Sequence, residues 1–275
     1  MRIDARGLRF DVTTGGPEHG EPVLLLHGFP QHSGEWDGVV PALHAAGLRS
    51  YALDQRGYSP QARPTRVEAY RLGELVADAL AVLDALGVAT AHVVGHDWGA
   101  IVGWALAAAH PDRVRTLTAV SVPHPAAMAD ALANDPQQRA RSAYMLLFRQ
   151  SVAERTLLAL GAAGLRRLLR GVGDAARVAA YADPMREPGA LTAALNWYRA
   201  MSRAELAATG PVSVPVTFVW SDGDAAIGRA AAQACAAHVT GDYRFVELPG
   251  FTHWIPDEAP APLAEAILAR VRPAG

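Results

Sequence analysis

A five-residue turn, Gly95-His96-Asp97-Trp98-Gly99, constrains the fold of this chain more than any other feature of the sequence. It follows a mostly apolar run, Ala91–Val94, in which only His92 is polar, and precedes Ala100–Ala109, a segment without a polar residue. The apolar run is typical of a buried strand, and the non-polar segment indicates a helix buried deep in the core. A turn this tight needs small neighbours, here two glycines, and it holds its central side chain out at the end of the strand. The sequence therefore predicts that Asp97 is displayed at the edge of a buried sheet.

Short apolar runs alternate with helical patterns along the first half of the chain, which indicates an α/β fold with a mostly parallel sheet flanked by helices. In the pattern from Leu72 to Leu86 apolar residues recur at helical spacing, and Gly87 is placed to end that helix. The strands that we predict are Val23–Leu26, Leu48–Leu53, Ala91–Val94, Val114–Val122, Pro211–Trp220 and Tyr243–Leu248.

Residues 125–209 show only helical periods, broken by glycine and proline. Strands lie on both sides of this segment, so we expect a helical insert between two strands of one sheet. The predicted core domain is then 1–124 together with 210–275. The helical insert is expected to form a lid, or cap, over the carboxyl edge of the sheet.

The composition excludes several classes of protein. The 275 residues carry a net charge of −2, which gives no electrostatic reason to expect a nucleic-acid or membrane partner. The one cysteine, Cys235, cannot form a disulfide within the chain, and neither a signal peptide nor a membrane-spanning apolar run is recognisable. We therefore expect a cytoplasmic protein without a cofactor or a metal, as a monomer or a homodimer.

The strand, turn and helix around Asp97 resemble the nucleophile turn of the α/β-hydrolases, in which the central residue is usually serine. A serine must lose its proton to a base before it attacks, whereas a carboxylate with a pKa near ~3.9 is already ionised. Attack on a carbonyl carbon would form an unstable anhydride, which disfavours simple ester hydrolysis. Displacement at a saturated carbon forms an alkyl ester that a second step can hydrolyse. Asp97 therefore indicates substrates with a leaving group on such a carbon, either epoxides or alkyl halides.

The resemblance to the α/β-hydrolases implies an acid and a base that follow the nucleophile in chain order. His253 comes after the last predicted strand, so we assign it the activation of the water that cleaves the ester. Two carboxylates, Asp222 and Asp224, follow the preceding strand, and either could orient the histidine. We favour Asp224, since the acid of this fold lies a few residues beyond the strand, and expect Asp222 to cap the turn.

Backbone N–H groups beside the nucleophile are expected to form the oxyanion hole. The same resemblance implies one donor from Trp98 and another from the stretch His27-Gly28-Phe29-Pro30, which we assign to Phe29. Each such donor typically lowers the barrier by about 2.7–4 kcal/mol. The side chains that we expect to line the substrate pocket are those of Phe29, Pro30, Trp98, Trp197 and Trp254.

Three stretches together resemble the epoxide hydrolases of that superfamily, over essentially the whole chain. They are His27-Gly28-Phe29-Pro30, Gly95-His96-Asp97-Trp98-Gly99 and Leu195-Asn196-Trp197-Tyr198-Arg199. The third is the most specific, because family members carry a tyrosine in such a stretch near the end of the lid, and here it falls on Tyr198. They carry a second lid tyrosine earlier, and the stretch from Tyr144 to Phe148 assigns that role to Tyr144.

There is also a physical reason to expect two tyrosines at the site of an epoxide hydrolase. An opened epoxide leaves as an alkoxide, whose conjugate acid is roughly as weak as water with a pKa of ~15.7. A phenol with a pKa of ~10 can donate the proton at neutral pH, whereas a halide needs no proton. The resemblance and the two phenols together imply a small apolar epoxide as the substrate.

Two other hypotheses stay open. One is a haloalkane or haloacid dehalogenase with the same Asp97 nucleophile, since the haloalkane dehalogenases also carry tryptophan at the position of Trp98. They often carry asparagine where Phe29 stands, however, and the fluoroacetate dehalogenases carry arginine where Trp98 stands. The other hypothesis is a ligand-binding protein without turnover, although a binding protein has no need to keep Asp97, His253 and Asp224 together.

Overall fold

An eight-stranded sheet forms the centre of the computed structural model, which describes residues 1–272. Its strands are β1 (Arg2–Ala5), β2 (Leu8–Gly15), β3 (Glu21–Leu26), β4 (Leu48–Leu53), β5 (Ala91–His96), β6 (Val114–Val120), β7 (Val216–Trp220) and β8 (Tyr243–Glu247). They lie in the order β1-β2-β4-β3-β5-β6-β7-β8. The pairs β1–β2 and β2–β4 are antiparallel, and every other pair is parallel. The mostly parallel α/β sheet expected from the sequence is confirmed.

Five strand boundaries differ from the prediction. Three of them differ by one or two residues: β3 begins at Glu21, β5 ends at His96 and β8 ends at Glu247. Strand β6 ends at Val120, because Ser121 has a φ of 66° and turns the chain out of the sheet. Strand β7 begins at Val216 and not at Pro211, since Pro215 has no N–H to donate to a neighbouring strand. The two antiparallel strands at the N-terminus were not predicted, because β1 is only four residues long and carries charged residues on its exposed face.

Thirteen helices complete the described part of the chain. They are α1 (Val40–Ala45), α2 (Leu72–Ala85), α3 (Trp98–Ala109), α4 (Pro125–Asn134), α5 (Pro136–Arg141), α6 (Tyr144–Phe148), α7 (Ala153–Leu168), α8 (Ala175–Ala182), α9 (Ala190–Ala200), α10 (Arg203–Ala207), α11 (Arg229–Gln233), α12 (Ile255–Glu258) and α13 (Pro260–Val271). Short 3-10 helices lie at Ser33–Trp36, Val67–Tyr70, Pro184–Arg186 and Ala234–His238. Helix α2 ends as predicted, with Gly87 at a φ of 69°. Within residues 1–272 no helix is both long enough and apolar enough to cross a bilayer.

Alternate residues of β3 pack into hydrophobic layers on opposite faces of the sheet. Leu24 and Leu26 join the layer that contains α3, whereas Val23 and Leu25 join the layer that contains α13. This is the burial pattern of a central parallel strand, whose two faces are both covered by helices. The two layers hold the strands rigidly, and the loops at the strand ends are therefore positioned well.

The helical insert between β6 and β7 contains α4 to α10. The longest helix of the insert, α7, is interrupted at residues 159–162. Leu160, Gly161 and Ala162 there have positive φ values of 50°, 71° and 66°. A glycine weakens a helix, and Gly161 lies at the centre of this break.

The cysteine behaves as an ordinary core residue. The Cys235 side chain is fully buried, and the backbone N–H of His124 donates to its Sγ at 3.0 Å. Burial raises the pKa of this thiol to about 12, so the reactive thiolate is disfavoured.

A buried ion pair fastens the loop after β4 to α2. Arg56 Nε and Nη2 donate to the two carboxylate oxygens of Asp78 at 2.5 and 2.6 Å, and Arg6 Nη1 donates to Asp78 Oδ1 at 2.7 Å. The Asp78 side chain is 3% exposed and that of Arg56 is 6% exposed. Removal of the carboxylate leaves a guanidinium buried without its partner, and this is costly in the protein interior.

We predict that Asp78→Ala lowers the free energy of unfolding by about 3–5 kcal/mol, as measured by urea denaturation. The control is Asp84→Ala, which removes an exposed partner of Arg113. This control should cost less than about 1 kcal/mol, because exposed ion pairs contribute little. Equal effects of the two substitutions would contradict the importance given to the buried pair.

Candidate active site

The turn between β5 and α3 is as tight as the sequence predicted, and its backbone is strained. Asp97 has a φ of 51° and a ψ of −116°, in a region that side-chain-bearing residues rarely adopt. A Cβ atom on Gly95 would overlap the carbonyl oxygen of Gly99, and one on Gly99 would overlap that of Leu26. The glycines are therefore required at these positions, and the turn displays the Asp97 carboxylate beyond the end of β5.

The Asp97 carboxylate faces the imidazole of His253. Their closest atoms, Asp97 Oδ2 and His253 Nε2, are 3.4 Å apart. On the other side of the ring, His253 Nδ1 lies 2.7 Å from Asp224 Oδ2. Asp222 instead accepts a hydrogen bond from the backbone N–H of Gly250 at 2.7 Å. The structure thus brings Asp97, His253 and Asp224 together and leaves Asp222 in the turn.

The second oxygen of Asp224 is held by the backbone. Asp224 Oδ1 accepts hydrogen bonds from the N–H groups of Ala226 and Ile227, at 2.7 and 2.9 Å. These two donors fix the carboxylate and leave its other oxygen directed at the histidine. A carboxylate held in this way orients the ring and stabilises its charged form.

The two carboxylates control the charge of His253. Burial alone would lower the pKa of the imidazole, but Asp224 and then Asp97 raise it to about 10. Burial opposes ionisation of Asp97, and the contact with His253 nevertheless keeps the pKa of Asp97 below its usual value. At neutral pH the site therefore holds an ionised Asp97 beside a histidine that carries a proton.

The backbone N–H of Phe29 donates to Asp97 Oδ1 at 2.8 Å. This contact requires a close approach, because a Cβ atom on Gly28 would overlap the Asp97 side chain. The N–H of Trp98 lies in the first turn of α3, where helical N–H groups have no acceptor within the helix. The structure thus shows the Phe29 N–H at Asp97 Oδ1, while Asp97 Oδ2 faces His253.

A cavity of about 370 Å³ opens above these groups, a volume typical of small-molecule sites. Its lining includes Asp97, His253, Tyr144 and Tyr198, and a second cavity of about 30 Å³ shares the same four side chains. Three residues predicted for the pocket, Phe29, Pro30 and Trp254, line the larger cavity, and Trp98 lines the smaller one.

Aromatic neighbours hold Tyr198 in place. Its ring makes edge-to-face contacts with Phe29, Trp98 and Phe148, at centroid distances of 5.3, 5.2 and 5.0 Å. Burial, followed by the negative charge of Asp97, raises the pKa of both Tyr198 and Tyr144 above the ordinary phenol value. Both phenols are therefore protonated at neutral pH and carry the hydrogen that a leaving oxygen would need.

Comparison with known proteins places this site in a family. Residues 21–260 match the family described as the alpha/beta hydrolase fold. The chain is 34% identical to epoxide hydrolase A of Mycobacterium tuberculosis, over 97% of this chain and 95% of that protein. It is 32% identical to an AB hydrolase superfamily protein of Bacillus subtilis, over the same shares of the two proteins.

Comparison with solved structures gives the same result as comparison of the sequences. The crystal structure of epoxide hydrolase A from Mycobacterium thermoresistibile superposes with a TM-score of 0.87 at 28% identity, over 99% of this chain and 98% of that one. An epoxide hydrolase of Bacillus megaterium in complex with an inhibitor superposes with a TM-score of 0.90 at 26% identity, over 98% and 99%. The chain belongs to the epoxide hydrolase family of the α/β-hydrolase superfamily.

The prediction that Trp197 lines the substrate pocket is wrong. Trp197 is fully buried and lines neither of the two cavities; its Nε1 donates to the carbonyl oxygen of Arg56 at 2.8 Å. Consecutive residues of a helix point about 100° apart, so Tyr198 on α9 faces the cavity while Trp197 faces His27 and Tyr58. Trp197 therefore supports the wall of the site from behind.

Several residues of the cavity wall were not predicted, among them Phe148, Arg141, Arg167 and Arg170. Phe148 lies in the same stretch as Tyr144, and its helical spacing of four residues was an available signal. The arginines gave no comparable signal, because a charged residue on a helix is usually solvated. Their place at the cavity is a consequence of how the helical insert packs on the core.

We predict that Asp224→Asn lowers the pKa of His253 below about 10, and that Asp97→Asn lowers it by a smaller amount. Each substitution removes a negative charge that stabilises the imidazolium, and Asp224 contributes more than Asp97. The imidazole resonances of His253, followed by NMR through a pH titration, measure both pKa values. An unchanged pKa in both variants would contradict this account of the site.

Proposed function

We propose that this protein is an epoxide hydrolase that opens an epoxide to a vicinal diol through a covalent alkyl ester on Asp97. The observation that carries the proposal is that the Asp97 carboxylate and the phenols of Tyr144 and Tyr198 line one cavity. This combines an ionised nucleophile with two proton donors. The relatives named epoxide hydrolases, which match nearly the whole chain, support the same reaction.

In the first step Asp97 Oδ2 attacks a carbon of the epoxide ring, since Oδ1 is engaged by the N–H of Phe29. The carbon–oxygen bond breaks, and its electron pair stays on the epoxide oxygen. That oxygen takes a proton from Tyr144 or Tyr198. A positioned general acid of this kind typically contributes a factor of about 10²–10⁴ to the rate.

Formation of the ester changes the charge beside His253. Asp97 loses its negative charge, and one of the two carboxylates that raise the pKa of His253 is then gone. The histidine can then pass its proton back to the phenolate that the first step left on Tyr144 or Tyr198, and the neutral ring becomes able to accept a proton from water. We propose that this drop in pKa prepares His253 for the second step only after the first step has taken place.

In the second step the activated water attacks Cγ of Asp97. Negative charge then develops on Oδ1, the oxygen that already accepts a hydrogen bond from Phe29 at 2.8 Å. The N–H of Trp98 is the second donor in the proposal. The intermediate then collapses with cleavage of the bond between Cγ and the substrate oxygen. That oxygen takes the proton of the newly added hydroxyl group, so the diol leaves and Asp97 is again a carboxylate beside a protonated His253.

The helical insert, residues 125–209, serves as the lid in this proposal, over a core formed by 1–124 and 210–275. Tyr144 and Tyr198 both belong to the insert, in α6 and α9, whereas Asp97 and His253 belong to the core. The reactive groups are therefore divided between the two parts, and catalysis requires the insert to be packed in place.

The proposal predicts diol from epoxides, and a loss of about 10²–10⁴ in kcat for the double variant Tyr144→Phe/Tyr198→Phe. The substitution removes both donors to the leaving oxygen and keeps the aromatic rings. A panel of epoxides and haloalkanes, assayed in parallel for diol and for halide, provides the measurement. Phe148→Leu is a control that alters the aromatic wall without removing a donor, and it should lose far less.

Halide release from the haloalkanes that is unaffected by the two tyrosine substitutions, without diol from any epoxide, would favour the dehalogenase hypothesis. Binding of these compounds without any product would favour a non-catalytic protein. Either result would contradict the proposed reaction.

A further inference from the structure

Three arginines line the cavity, and the proposed reaction uses none of them. Arg141 lies at the end of α5, Arg167 lies near the end of α7, and Arg170 follows three residues later. All three side chains belong to solvent-exposed residues, so they lie where the cavity meets the surface. We call Arg141, Arg167 and Arg170 the arginine rim.

The arginine rim has no acidic partner. Within residues 1–272, no carboxylate lies within the distance of about 4 Å that defines an ion pair for any of its three guanidinium groups. Other arginines of the insert do have acidic partners: Arg166 pairs with Asp183 at 2.8 Å, and Arg177 pairs with Asp257 at 2.6 Å. The positive charge of the rim is therefore not neutralised by the protein.

One member of the rim is anchored and the others are not. Arg141 Nη1 donates to the carbonyl oxygen of Asp224 at 2.7 Å, which ties this arginine to the loop that carries the acid of the site. Neither Arg167 nor Arg170 has a hydrogen bond from its guanidinium to another described residue. Their donors are available to a molecule that enters the cavity.

The wall between the rim and Asp97 is mainly apolar. It contains Phe29, Phe148 and Leu168, with the two phenols beside the nucleophile. A substrate that fits both regions has an apolar body, an epoxide at the inner end and a negative group at the outer end. Arginine suits carboxylate and phosphate groups, because its planar fork of N–H donors matches their oxygens.

We propose that the site selects epoxides that carry an anionic group, a carboxylate or a phosphate, which the arginine rim binds through Arg167 and Arg170. The inference rests on the proposed epoxide hydrolysis and names the substrate class of that same site. The sequence alone predicted a small apolar epoxide, whereas the arginine rim indicates an amphipathic one.

The test compares an epoxyalkanoic acid with its primary amide of equal chain length, and includes an epoxyalkyl phosphate as a third substrate. The ratio of kcat/KM for the acid to that for the amide is expected to exceed one in the wild type and to fall as salt is raised. In Arg167→Gln/Arg170→Gln the ratio should decrease by up to about fivefold for each arginine removed. The control is Arg155→Gln, an exposed arginine of α7 outside the cavity, which should leave the ratio unchanged.

The outcomes separate the two proposals. If the wild type turns over the acid and the amide equally well at low salt, or if the double variant keeps the wild-type ratio, the arginine rim does not select anions and epoxide hydrolysis still stands. If neither these substrates nor a panel of neutral epoxides gives a diol, the proposed function itself is wrong. A higher kcat/KM for the phosphate than for the acid would identify phosphate as the preferred anion.

Discussion

The Asp97 carboxylate is held between a backbone N–H and a charged imidazole, and the rest of the site depends on this arrangement. Phe29 donates to one oxygen, and His253 faces the other. The three residues follow three different strands: Phe29 follows β3, Asp97 follows β5 and His253 follows β8. Parallel strands end at the same edge of a sheet, so residues far apart in sequence meet there. The sheet thus positions the Asp97 carboxylate, and the strained turn displays it.

Charge connects the two proposed steps. The imidazole carries a proton because two carboxylates surround it, and the first step would remove the charge of one of them. A base that is available only after the ester has formed does not compete for the proton that the leaving oxygen needs. The tyrosines have the complementary role, because burial near Asp97 raises their pKa and keeps them protonated. In this account the charge of Asp97 controls both groups. Its presence keeps the tyrosines protonated as donors, and its loss in the first step lets His253 act as the acceptor.

Much of the fold and of the candidate site could be predicted from the sequence, because the strands and the turn have strong local signals. The glycines around Asp97 and the apolar run before it are sufficient to place the carboxylate at a sheet edge. The spacing along α9 could have shown that Trp197 and Tyr198 cannot both face the cavity. The arginine rim could not be predicted, because it depends on how α5 and α7 pack over the core. Tertiary packing, which has no local signature in the sequence, decides which exposed residues of a helix reach a site.

The covalent ester on Asp97 is the central claim, and its accumulation tests that claim most directly. The variant His253→Gln keeps the nucleophile but removes the group that activates water, so the ester should form and persist. Intact-mass spectrometry after incubation with an epoxide should show a mass increase equal to that of the substrate, located by peptide mapping on Asp97 and absent from Asp97→Ala/His253→Gln. Continued diol formation by His253→Gln with no adduct at any time would contradict the account.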